Sequence, residues 1–191
     1  MIETKEDILK LIHKDEWLME ILFQVKSLNL PDCWVCAGVI RSKIWDKLHG
    51  YSQRTPVEDV DVVYFDPEDL KEETEKMLEK RLLSILPSIP WSVKNQARMH
   101  TVNQNPPYDS TEDAISKFPE TVTAIGVRMN ELNELELLAP WGIENLLKME
   151  VRPTEIFIIN KDAYGTYEHR MNKKKWHETW PMIKVHQVEW K

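Results

Sequence analysis

Apolar positions in the first thirty residues recur at helical spacing, with Ile8, Leu11, Ile12, Leu18, Leu22 and Val25 along one face. Thr4 can cap this helix, and Asp7 stands three residues on in the arrangement of a capping box. A break near Asp15 divides the segment, and Asn29-Leu-Pro31 ends it, because proline disfavours helix in the residue before it. The pattern then changes period. A short apolar run from Cys33 ends at Gly38 and predicts a strand. Ile40, Ile44, Trp45 and Leu48 then return at i, i+4, i+5 and i+8, which predicts a helix over 39–48 closed by Gly50. Asp59 to Asp66 reads as a second strand stopped by Pro67. Leu70, Met77, Leu78, Leu82 and Ile85 form the stripe of a long helix over 68–86, its mixed charges a solvated face.

Pro87 and Pro90 punctuate a loop before a third strand over 91–95. Ser110 with Asp113 predicts another capped helix that ends before Pro119. Residues 121–129 and 134–139 read as two β segments joined by a hairpin at Asn130-Glu-Leu-Asn133, and 142–149 as a short helix. Residues 156–159 are a strand or an apolar clasp, and 161–176 a helix, with Trp176, Trp180 and Trp190 packing the tail onto the core. The order predicts an α/β (α+β) fold: a mixed β-sheet core with flanking helices and a cleft at the ends of the strands after Cys33 and Asp59. A chain of 191 residues is expected to form a single domain, its 154–191 segment lying on the core.

Charge narrows the partners. With 25 basic and 32 acidic residues the chain carries −7, which argues against extended nucleic-acid binding over a broad basic face. No apolar run approaches the roughly 20 residues that span a bilayer, so no membrane is expected, and the amphipathic, acidic N-terminus is unlike a signal peptide. Two cysteines without an export signal fit a cytoplasmic, reducing setting. Cys33 and Cys36 have Cys-x-x-Cys spacing, but no second such pair could complete a zinc site, and the pair precedes the glycine rather than opening a helix. They read as buried, inert thiols.

The chemistry concentrates between Cys33 and Asp66. Side chains two apart on a strand project from one face, so Asp59 and Asp61 hold adjacent carboxylates. Two neighbouring anions repel unless a cation sits between them, and hard oxygen donors suit Mg²⁺ together with substrate phosphates. A helix that starts after Gly38 offers unpaired N–H groups and a positive dipole end to an anion. Arg41 in its first turn opposes that dipole and is out of place without a bound anion. The competing reading is structural: Gly38 as an ordinary tight turn, Asp59 as a strand start, and Asp61 paired with Arg41 or a lysine.

Ala37-Gly38 with Trp45, the run Asp59-Val-Asp-Val-Val-Tyr-Phe-Asp66, Trp91-Ser-Val-Lys-Asn-Gln-Ala-Arg-Met-His100, Pro107-Tyr108 and Ala139-Pro140 resemble an uncharacterised bacterial nucleotidyltransferase-like family. That family lies within the DNA polymerase beta-like nucleotidyltransferase superfamily, and the resemblance spans about residues 30 to 153. It implies Mg²⁺-dependent transfer of a nucleotidyl group from a nucleoside triphosphate to an unknown acceptor hydroxyl, with Asp59 and Asp61 as metal ligands. Gly38, Arg41, Lys94, Asn95, Arg98 and His100 would then bind the nucleotide, and Tyr108 would stack on base or sugar; the alternative makes Lys94, Arg98 and His100 solvated surface groups with one or two structural hydrogen bonds, and Tyr108 a packing residue. The superfamily's third carboxylate falls on Ser92, which cannot replace an anionic ligand. Glu136, between Leu135 and Leu137, is the alternative third carboxylate, or else an exposed strand residue. Two rival readings stand beside the transferase: a catalytically silent nucleotide- or phosphate-binding module, and a protein-interaction domain.

Overall fold

Side-chain caps set the first helix starts. Thr4 accepts from the Asp7 N–H while the Asp7 carboxylate accepts from the Thr4 N–H, and Asp15 caps the next helix by accepting from Leu18. The computed structural model describes residues 2–159 and 161–187. In chain order the elements are α1 (Lys5–His13), α2 (Glu16–Lys26), β1 (Trp34–Cys36), α3 (Gly38–Leu48), β2 (Val60–Tyr64), α4 (Glu72–Ile85), β3 (Trp91–Asn95) and α5 (Gln96–Val102). They continue with α6 (Thr111–Ser116), β4 (Gly126–Met129), β5 (Leu135–Leu138), α7 (Glu144–Leu147), β6 (Glu150–Val151), α8 (Glu155–Ile159), α9 (Lys161–Lys174), α10 (Trp176–Thr179) and β7 (Lys184–Val185).

The fold is the expected mixed α/β one. A five-stranded sheet runs in the order β3-β2-β1-β4-β5, with β2 and β3 parallel and the other pairs antiparallel. Strand alternation separates its faces. Val35, Val60, Val62 and Val93 enter the main core with Ile8, Leu18, Ile40, Ile44 and Trp45. Trp34, Cys36 and Val63 pack on the other face against Ile115, Ala124 and Phe118. At the β3 edge α4 supplies carboxylates in place of a further strand: Glu79 accepts from the Val93 N–H at 3.0 Å and Glu75 from the Asn95 N–H at 3.0 Å.

The last described segment returns to α3. The Trp45 ring meets the edges of Trp176 and Trp180 at 5.8 and 5.3 Å between centroids. The Trp180 indole donates to Asp46 at 2.8 Å, and the Tyr51 hydroxyl donates to the Thr179 carbonyl at 2.7 Å. Trp190 lies outside the described residues.

Some boundaries differ from the periodicity. α4 begins at Glu72 because Asp69 first forms a turn, accepting from the Lys71 N–H and the Thr74 hydroxyl. Residues 121–124 are a turn rather than strand: the Thr123 and Ala124 N–H groups both bond the Glu120 carbonyl, and β4 starts only at Gly126. Residues 156–159 form part of helix α8, and a two-residue parallel pairing of β6 with β7 is too short to leave a period in the sequence. No helix among the described residues is long and apolar enough to cross a membrane.

Candidate functional site

Where β1 ends, β2, β3 and β4 begin, so one end of the sheet gathers Cys36 beside Asp61, Asp61 beside Ser92, and Cys36 beside Gly126. The chain turns out of β1 through Ala37, whose φ of 59° and ψ of −125° lie where a side chain is strained by about 1–3 kcal/mol. Its N–H is held by the Ile125 carbonyl at 2.9 Å. The positive φ thus belongs to Ala37 and not to Gly38. No side chain caps α3 and its first turn holds no acid, so the first N–H groups and the dipole end stay open toward the aspartates.

Gly38 has room for a side chain. A Cβ there would stand 4.0 Å from Arg41 Nη2 and from Asp59 Oδ1, ordinary contact distances. Neither backbone nor packing therefore demands glycine. Gly38→Ala is expected to keep stability within about 0.5 kcal/mol of the parent. It should weaken binding of a phosphate that approaches the backbone by about tenfold, as measured by thermal unfolding and by titration with a nucleoside triphosphate. Equal affinity in the two proteins would return Gly38 to a purely structural role.

Asp59 is exposed and Asp61 half-buried. Burial and the neighbouring Asp59 charge push the Asp61 carboxyl up to about 6, while a hydrogen bond from Ser92 acts in the opposite direction. Ser92 thus orients Asp61 rather than adding a third anion. A carboxylate held at a disadvantage beside a second one is a donor set with a vacancy for positive charge, which a divalent cation fits. Among the described residues no three His, Cys, Asp or Glu side chains gather closely enough to hold a metal ion.

The cations face this pair. Arg41 is 6% exposed, its guanidinium carbon 4.1 Å from the Trp176 ring centre, 5.0 Å from Trp45 and 5.1 Å from Trp180. Nη2 donates to the Ser42 hydroxyl at 3.1 Å, but the buried Nε has no partner. Burial lowers its pKa to about 10, the nearby Glu120 opposing that shift, so it remains charged at neutral pH. Arg41 lines a cleft of about 440 Å³ with Gly38, Asp59, Asp61, Arg170 and Lys174, a size within the usual range for small-molecule sites. A slightly larger hollow, about 480 Å³, lies between α2 and the β4–β5 hairpin, away from the aspartate pair.

Other residues singled out in the sequence lie elsewhere. Arg98 grips Glu75 through Nε at 3.1 Å and Nη2 at 2.8 Å, and Lys94 pairs with Glu75 and Glu79 at 3.5 and 3.8 Å. The Asn95 side chain is buried, accepting from the Asp66 and Ala97 N–H groups and donating to the Asp66 and Asp69 carbonyls. His100 bonds the Ala97 carbonyl through Nδ1, and Tyr108 is 5% exposed, its hydroxyl accepting from Asn105 and Asn103. None of these five lines the cleft. Glu136 sits on β5, three strands from β2, where Arg128 and Asn130 hold its carboxylate low in pKa. The structure does not bring it to Asp59 and Asp61. Residues that periodicity did not single out arrive instead: Arg170, and the fully buried Glu120 that it pairs with, Thr123 donating to the same carboxyl group at 2.7 Å. Lys174 belongs to the basic run 173–175, which reads from sequence as a solvated helix end. Its i, i+4 relation to Arg170 was the available signal.

A short mixed sheet with an Asp-x-Asp strand beside a glycine-led, uncapped helix start is the architecture of the nucleotidyltransferase fold. The chain belongs to the Nucleotidyltransferase family, whose pattern matches residues 24–185. A structure solved by NMR and described as revealing a CCA-adding enzyme head domain is 37% identical, covers 97% of both chains and superposes with a TM-score of 0.87. The Thermotoga maritima CCA-adding enzyme complexed with tRNA is 13% identical over 95% of this chain and 42% of that one, TM-score 0.59. A CCA-adding enzyme in complex with CTP is 11% identical over 98% of this chain and 44% of that one, TM-score 0.60. These two share the fold, and the chain spans under half their length. Comparison with curated proteins finds no match.

Proposed function

We propose that this chain is a metal-dependent nucleotidyltransferase that takes a nucleoside triphosphate into the cleft between Asp59, Asp61 and the start of α3. The observation that carries the reading is the meeting, in one cleft, of a disfavoured carboxylate pair with the open end of α3 and a buried, partly unpaired guanidinium. Asp59 and Asp61 would hold Mg²⁺, which when bound neutralises phosphate charge and favours the ionised acceptor hydroxyl. Ser92 keeps Asp61 in place through its hydrogen bond. The α3 N–H groups and Arg41 receive phosphate oxygens. The acceptor oxygen bonds to the α-phosphorus, the bond to the bridging oxygen breaks, pyrophosphate leaves, and the hydroxyl proton is released. The acceptor is a hydroxyl of unassigned origin, and a reducing, cytoplasmic setting suits the two free thiols.

Ser92 favours a second reading. Two carboxylates make a poorer metal cage than three, as in a binding module that has lost its chemistry. A screen of the four ribonucleoside triphosphates with and without Mg²⁺ separates the readings. At about 100 times its dissociation constant a ligand adds about 2.7 kcal/mol of stability, visible as a rise in melting temperature. A Mg²⁺-dependent rise with pyrophosphate release supports the transferase. A rise without product in the presence of varied hydroxyl acceptors supports the silent module, and no rise at all removes both.

A further inference from the structure

We propose, resting on the nucleotide reading above, that α9 supplies the polyphosphate clamp of the cleft: Arg170 as a fixed cation and Lys174 as a displaceable one that Glu58 holds until a triphosphate arrives. The two side chains are four apart on a helix and therefore share a face, and both line the cleft that holds the aspartates. Arg170 is anchored through Nε to Glu120, a carboxylate with no exposure to solvent. A guanidinium carries five donors in a planar fork, so one anchoring bond leaves capacity for phosphate oxygens.

Lys174 is held differently. Its side chain is 24% exposed, and its ammonium bonds the carboxylate of Glu58, a side chain that is 73% exposed and lines the same cleft. An exposed pair of this kind is a weak bond, whereas a polyphosphate brings several negative charges and strong acceptor oxygens to the same ammonium. Exchange of Glu58 for phosphate is therefore favourable once the α3 end and Arg41 have engaged part of the ligand. Phosphate-binding groups at two places in the cleft, the α3 start with Arg41 and α9 with Arg170 and Lys174, would select a chain of phosphates long enough to reach both, which a monophosphate is not.

The experiment is calorimetric titration of the whole protein, in EDTA, with tripolyphosphate, ATP and AMP. Circular dichroism checks the fold of each variant. Lys174→Gln should weaken tripolyphosphate and ATP about tenfold and leave AMP unchanged. Glu58→Gln frees the lysine and should tighten tripolyphosphate several-fold. Arg170→Lys keeps a cation on the buried Glu120 and should weaken ATP without loss of fold. A merely structural ion pair would make Lys174→Gln and Glu58→Gln behave alike, and that result overturns the clamp. ATP binding by the parent that survives Lys174→Gln and Arg170→Lys undiminished overturns the clamp while leaving the nucleotide reading intact. Absence of nucleotide binding by the parent, with or without Mg²⁺, overturns both.

Discussion

Joint replacement of Asp59 and Asp61 by asparagine is expected to remove nucleotidyl transfer by at least about a thousandfold while raising the stability of the metal-free protein. The loss follows from the several kcal/mol that a bound cation contributes to charge stabilisation in such reactions. The gain follows from Asp61. Its carboxyl titrates near 6 in the folded chain against an ordinary 3.8, because burial and Asp59 disfavour the charged form. A carboxyl whose native value is raised keeps its proton in the fold when the unfolded chain has lost it. Stability therefore falls as pH rises from about 4 through about 6, by an amount on the order of 3 kcal/mol, and the loss is complete above that window. The asparagine protein should show no such slope, and at pH 7 should melt higher than the parent. Proton and metal compete for the same oxygens, so Mg²⁺-dependent binding by the parent should weaken as pH falls through about 6. Unimpaired transfer by the double variant would show that the cation site lies elsewhere.

The second large effect concerns Glu75 and is expected to fall on stability. Its side chain is fully buried, accepts from the Asn95 N–H, and neutralises Arg98 and Lys94. Glu75→Leu strands Arg98 and the Asn95 N–H at the sheet edge and leaves Lys94 only its longer pair with Glu79. Breaking a buried pair costs about 3–5 kcal/mol. Arg98 and Lys94 are 20% and 28% exposed and can turn toward water, so the lower end, about 3 kcal/mol in urea unfolding, is expected. The turnover of the protein that remains folded should be unchanged, because none of these groups lines the cleft. A cost under about 1 kcal/mol, or a specific loss of nucleotide affinity, would return Lys94 and Arg98 to the ligand.

The contrast between these two sets of residues explains what was legible in the sequence. β2, β3 and α3 write their periods in runs of five to eleven residues, and Thr4, Asp7 and Ser110 cap their helices through local bonds, so the framework could be read directly. Gly38, Arg41, Asp59 and Asp61 reach one cleft because each sits within three residues of a strand or helix end, and strand pairing brings those ends together. Lys94 and Arg98 look like ligands in sequence because they are cations at and just beyond a strand end, and only α4, docked on that strand, reveals the carboxylate that occupies them. Glu136 has the right charge and strand phase, but its distance from Asp61 depends on strand order, which alternation does not encode. Arg170 is more than one hundred residues from the aspartates, and its approach depends on Trp176 and Trp180 finding Trp45.

That late arrival makes the cleft a check on the completeness of the polypeptide. The five-stranded sheet, the aspartate pair and the start of α3 all lie within the first 138 residues, yet two of the three tryptophans that cover Arg41, and the cleft's second wall, come from residues 170–180. A chain cut by a protease ahead of α9 would lose Trp176, Trp180 and Ile183 from the main core, leave the buried Glu120 without Arg170, and present Trp45 and the Arg41 guanidinium to water. Such a fragment would keep Asp59 and Asp61 in its sequence but lack the wall that carries Arg170 and Lys174, so damage at this end would strike the cleft and the core together.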